Sequence, residues 1–110
     1  MSKRERHMKY IREYNNLNRE KVRRWNREVY YRLRDRVLVH LSADPPYCLG
    51  CGIIDKRVLT VDHIYGGGGK ERKELGWGPI FRRILSGEFL ASNYRVLCHN
   101  CQHLARLGEL

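Results

Sequence analysis

The clearest chemistry in this chain belongs to two cysteine pairs. They are Cys48-Leu49-Gly50-Cys51 and Cys98-His99-Asn100-Cys101, with 46 residues between them. Each Cys-x-x-Cys knuckle can present two thiolates to one tetrahedral ion, so one structural Zn²⁺ per chain is expected. Four thiolates close the coordination sphere, so such an ion holds a fold and does no chemistry. Gly50 and Gly52 suit the tight knuckle turn, where a positive φ is needed. The rival reading is two disulfides. The opening MSKRERHMKY has no apolar export core. A reducing, cytoplasmic setting is therefore expected, and it disfavours disulfides. A redox role for Cys-x-x-Cys would need a βαβ context, which is missing.

Something must position the knuckles, and the long gap between them leaves room for it. Residues 57–64 are rich in β-branched types and alternate, which predicts a strand ending in Asp62 and His63. Four glycines at 66–69 predict a flexible loop. Residues 70–75 predict one or two helical turns closed by Gly76. Residues 79–85 predict a helix opened by Pro79 and stopped at Ser86-Gly87. Residues 93–97 predict a second strand running into the second knuckle. Residues 100–107 predict a last helix closed by Gly108. Zinc would then tie the entry of the first strand to the start of that helix.

Cys-x-x-Cys, then Val61-Asp62-His63-Ile64 with its glycine run, then Asn93-Tyr94-Arg95-Val96-Leu97-Cys98-His99-Asn100-Cys101 resembles the HNH endonucleases. These are the ββα-metal (His-Me finger) nucleases with a zinc double knuckle. The resemblance is to the small phage and mobile-element forms and covers residue 47 to about 107. It implies an α+β fold with a zinc-stapled ββα-metal module, residues 43–110; charge and helical period, below, add a long basic helical arm before it, residues 1–42. It implies metal-dependent hydrolysis of DNA phosphodiesters, by nicking or cleavage. By motif match, His63 is the general base and Asp62 a ligand of a catalytic Mg²⁺ or Mn²⁺. Asn93 is the bracing central residue. An unperturbed imidazole, pKa ~6.5, is mostly free to accept a proton at neutral pH. Successive strand residues face opposite ways, so Asp62 and His63 converge only if the backbone twists or bulges at the strand end.

The third motif position departs from the family, which usually has His or Asn directly after the last cysteine. Here Gln102 stands there and His103 follows. Gln102 is the favoured second ligand and His103 the alternative; about 100° separates them on a helix. His99, water alone, or a site without activity complete the alternatives.

The charge points to the partner. Lys and Arg number 22 against 12 acids, net +10. Residues 1–42 hold 13 of these cations and 5 acids, net +8. That excess is unlike a small-metabolite enzyme and suits a polyanion. Residues 10–41 contain no Gly or Pro, and apolar residues recur at steps of three and four from Ile11 through Trp25 to Leu41. Asn15, Asn16 and Asn18 predict a break, leaving a main helix at about 19–41, roughly 33 Å long. Glu20 and Glu28 are placed to pair with Arg24 and Arg32. Arg23, Arg24 and Arg27 on the arm, with Arg72 and Arg95 near the motif, are the candidate phosphate contacts. Trp25, Tyr30 and Tyr31 read as packing residues. No apolar run approaches the ~18 residues needed to cross a bilayer, so no membrane role is expected. Two other functions stay open. One is a non-catalytic zinc-stabilised nucleic-acid-binding module; the other is an assembly factor acting with phage packaging proteins. The oligomeric state stays open too.

Overall fold

Helix formation begins at Ser2, whose hydroxyl accepts the Glu5 backbone N–H at 3.1 Å and so satisfies a free donor of the first turn. In the computed structural model, which describes residues 1–110, α1 runs Lys3–Leu17 and α2 runs Arg19–Leu41. The break falls at Asn18 alone; Asn15 and Asn16 stay helical. The Asn18 backbone N–H and its side-chain amide both donate to the Tyr14 carbonyl at 2.9 Å, which ends α1. The chain divides into two compact units, Met1–Tyr31 and Arg32–Leu110.

In the first unit no residue is buried. Its apolar stripe therefore faces solvent, and Trp25 is 64% exposed, against the expectation that it packs. The ion pair of this unit is Lys9–Glu13 at 3.9 Å, with both side chains exposed. The expected Glu20–Arg24 and Glu28–Arg32 pairs do not close. Long exposed side chains gain little by pairing, so their rotamer freedom wins.

The second unit starts with the last turns of α2, where the same stripe is buried at Leu33, Val37 and Leu38. Ser42 donates its hydroxyl to the Leu38 carbonyl at 2.6 Å, and Pro45-Pro46 prevent further helix. The first strand, β1 (Leu59–His63), is shorter than its sequence pattern because residues 56–58 form a 3-10 turn. Asp55 caps that turn by accepting the Arg57 N–H at 3.0 Å. Arg34 of α2 donates to the carbonyls of Lys56 and Leu59, fixing where β1 begins.

β1 pairs antiparallel with β2 (Tyr94–Cys98) in unbroken register from Leu59↔Cys98 to His63↔Tyr94. Between them lie α3 (Gly68–Leu75) and α4 (Trp77–Ser86). The glycine loop is shorter than its four residues suggest, because α3 starts inside it. Only Gly66 and Gly67 take a positive φ. Pro79 sits in the first turn of α4 and Gly87 closes that helix at φ +85°. The chain ends with α5 (His99–Arg106).

The core is built from Leu59 and Val61 of β1, Val96 and Leu97 of β2, and Ile80, Phe81 and Ile84 of α4, together with the buried turns of α2. The fold is α+β, with five helices and one two-stranded antiparallel sheet. No helix is long and apolar enough to cross a membrane.

Candidate functional site

The four cysteines come from three local structures. Cys48 and Cys51 occupy the turn after Pro46, Cys98 ends β2, and Cys101 lies in the first turn of α5. Their Sγ atoms all lie within 4.8 Å of one another, and Cys51 and Cys98 are 3.7 Å apart. A tetrahedral ion with metal–sulfur bonds of about 2.3 Å needs sulfurs about 3.8 Å apart. The donor set therefore fits a metal ion.

The backbone prepares these sulfurs for negative charge. Cys48 Sγ accepts the N–H groups of Cys51 at 3.4 Å and Cys98 at 3.2 Å. Cys98 Sγ accepts that of Cys101 at 3.4 Å. Burial pushes the Cys48 thiol up, but the N–H groups of Cys98, Cys51 and Gly50 outweigh it and hold it at about 6. Burial, followed by its sulfur neighbours, pushes Cys101 up to about 12. Four sulfurs this close cannot share negative charge without a cation among them.

The two knuckle glycines do different jobs. Gly52 takes φ +79°. Gly50 does not take a positive φ, contrary to the sequence reading. It is required because a Cβ there would lie 2.8 Å from Cys101 Sγ.

One residue past Cys101, Gln102 enters a cleft of about 340 Å³. Asp62 and His63 of β1, Gly68 and Arg72 of α3, and Arg95 of β2 also line it. Asp62 and His63 reach one cleft without any bulge, since the ladder is regular through His63. The cleft spans the strand end, where both residues border it. Asp62 Oδ2 accepts Arg95 Nε at 2.9 Å, an ion pair between register partners on the two strands.

His63 is enclosed. Its Nε2 lies 3.3 Å from Glu71 Oε1 but off the line of a hydrogen bond, so this buried nitrogen lacks a formal partner. The same Glu71 oxygen accepts the Tyr94 hydroxyl at 2.9 Å. The Tyr94 ring also meets the imidazole edge-on at 4.8 Å. Burial, then the Glu71 carboxylate, pushes the Tyr94 hydroxyl well above its ordinary pKa, so it remains a donor. A Cβ at Gly68 would lie 2.5 Å from His63 Nδ1. Only glycine lets α3 pass this close to the ring.

The sequence-derived residues divide as follows. Asp62, His63, Gln102, Arg72 and Arg95 share the cleft. His103 and His99 are exposed and outside its lining. Asn93 is also outside; its carbonyl accepts the Ile64 N–H at 3.0 Å and braces the turn after His63. Arg23, Arg24 and Arg27 are exposed residues of the first unit. Sequence reasoning missed Glu71 and Tyr94 as partners of His63. Glu71 carried no signal within a run of mixed charges. Tyr94 read only as a strand residue. Trp77 also lines the cleft, with its ring 5.7 Å under the Arg72 guanidinium. No family model, curated protein or solved structure matches the chain.

Proposed function

We propose that this chain is an HNH-type endonuclease that hydrolyses DNA phosphodiester bonds with a divalent metal ion. The observation that carries the reading is the meeting of Asp62, His63 and Gln102 with Arg72 and Arg95 in one open cleft. In this reading the four cysteines hold Zn²⁺, whose closed thiolate shell makes it structural.

The second ion is Mg²⁺ or Mn²⁺. The Asp62 carboxylate and the Gln102 amide oxygen would hold it, both hard oxygen donors suited to such ions. When bound, it supplies charge neutralisation at the scissile phosphate and the leaving oxygen. Arg95 orients Asp62 through Oδ2 and leaves the other carboxylate oxygen free. Arg72 and Arg95 supply positive charge for the phosphates on either side of the scissile bond.

His63 takes the proton of the attacking water at Nδ1. Glu71 faces Nε2 and favours the tautomer with its hydrogen there, leaving the Nδ1 lone pair available. The imidazolium that forms then faces a carboxylate. Tyr94 holds that carboxylate in place by donating to the same oxygen.

The test is the nicking of supercoiled plasmid by wild type and His63→Ala, each in EDTA, Mg²⁺, Mn²⁺ and Ni²⁺. Wild type alone should nick, and only with added metal. A second reading is a non-catalytic, zinc-stabilised nucleic-acid-binding module. It is favoured by Gln102, where the family usually has His or Asn, and by the enclosure of the His63 ring. Equal gel shifts by both proteins with no nicking under any ion would establish that reading instead.

A further inference from the structure

The exposed aromatics of the first unit are not explained by the cleft or by the core. Where α1 gives way to α2 there is a groove of about 690 Å³, a size suited to small-molecule or nucleobase groups. Tyr14 and Trp25 line it and are 44% and 64% exposed. Asn15 and Asn26 add amide donors and acceptors, and Lys21 and Arg24 add charge against one carboxylate, Glu28. A second depression adjoins it, lined by Leu17, by Arg19 against the carboxylate of Glu20, and again by Lys21 and Arg24. Two shallow sites with apolar surfaces thus share two cations.

We infer that this groove binds an unpaired nucleic-acid strand, a base resting on Trp25 and Tyr14 while Lys21 and Arg24 meet the backbone between neighbouring nucleotides. Stacking requires a base with a free face. Inside a duplex both faces of a base are covered by its neighbours, so single strands, frayed ends and branch points qualify. Aromatic platforms beside cations are how such strands are held without sequence readout. Charge selects this occupant over a second copy of the helix. Met1–Tyr31 holds 10 Lys/Arg against 4 acids, so two copies face to face would repel, whereas a polyanion is attracted. The inference rests on nucleic acid being the partner. It does not rest on the chain cutting it.

The experiment is a fluorescence and anisotropy titration of the full chain with oligothymidylate and with a duplex of equal length, without added divalent ions. The chain has two tryptophans, Trp25 and Trp77. Oligothymidylate should quench the emission, and Trp25→Ala should abolish most of that quenching. The same substitution should weaken oligothymidylate binding about tenfold, and duplex binding less than twofold. Trp25→Phe should retain most of the affinity. Circular dichroism of each variant should match wild type, because the exposed side chain supports no packing. Equal weakening on both nucleic acids, or quenching that survives Trp25→Ala, would overturn the inference. So would a concentration-dependent dimer that Trp25→Ala dissolves, which would assign the groove to a second copy. Because the readout is binding, absence of plasmid nicking would leave this result standing, and the converse also holds.

Discussion

At His63 the surroundings constrain the ring more than the two-residue motif does. Gly68 permits the helix to approach Nδ1, and Glu71 faces Nε2 with Tyr94 behind it. In the proposed nuclease Glu71 would orient the His63 imidazole without touching the reacting atoms, and such partners of metal-bound histidines are worth about ten- to a hundredfold. Glu71→Gln should therefore slow plasmid nicking by about that factor while leaving DNA affinity within twofold. Glu71→Asp should recover part of the rate. Loss of affinity in parallel with rate would mean that Glu71 only supports the fold. At the cysteines, Cys48 is lowered to about 6 and Cys101 is raised to about 12 by burial. A depressed thiol stabilises the fold above its ordinary value, and that contribution is lost as pH falls through about 6. Protons compete with metal at every sulfur, so metal affinity should rise with pH and drop most steeply below about pH 6. Release to a chromophoric chelator across pH 5 to 8 measures it. A flat profile would contradict thiolate ligation.

The elements hold these residues by a few close approaches. Gly50 leaves room for Cys101 Sγ, which a Cβ would meet at 2.8 Å. Gly50→Ala should strain the knuckle by about 1–3 kcal/mol. Reduced metal content per chain, read by atomic absorption, would show it. The last turns of α2 belong to the core of Arg32–Leu110 through Leu33, Val37 and Leu38. Leu38 is fully buried, so Leu38→Ala should cost about 2–5 kcal/mol of unfolding free energy, measured by denaturant titration of metal-loaded protein. The strand pair, α2, α4 and α5 were legible from period, proline and glycine placement. The start of α3 was not, because a glycine run is compatible with loop or helix and only packing against His63 decides. The shortened β1 was not legible either: residues 57 and 58 open the alternating pattern, but Asp55 and Arg34 hold them in a turn.

Over the whole molecule, charge is the dominant property. At net +10, with the excess concentrated toward the N-terminus, the proposed DNA binding should weaken steeply with salt. The slope of log K against log salt should be about 0.9 per phosphate neutralised. Substituting Arg23, Arg24 and Arg27 together by Gln should reduce that slope, by up to about three phosphates' worth. The measurement is anisotropy with labelled duplex at increasing KCl. An unchanged slope would remove these arginines from the interface. The exposed Trp25 belongs to this scale as well. The helical period placed it on an apolar stripe, but period alone does not say whether a stripe is covered.

The sequence alone determined the features that follow from short-range covalent geometry. Two Cys-x-x-Cys turns can point two sulfurs at one ion wherever they occur, and helix and strand periods follow from residues a few positions apart. Asp62 and His63 are adjacent, so their joint presence at a strand end was readable. Only the tertiary structure decided which distant residues join them. Tyr94 and Glu71 are 23 positions apart and Arg95 and Asp62 are 33 apart, yet each pair lies at 2.9 Å. Such meetings depend on strand register and on how far α3 can approach the sheet. Those are fixed by the packing of Ile80, Phe81 and Ile84 and by the absent Cβ of Gly68, interactions that no local pattern encodes.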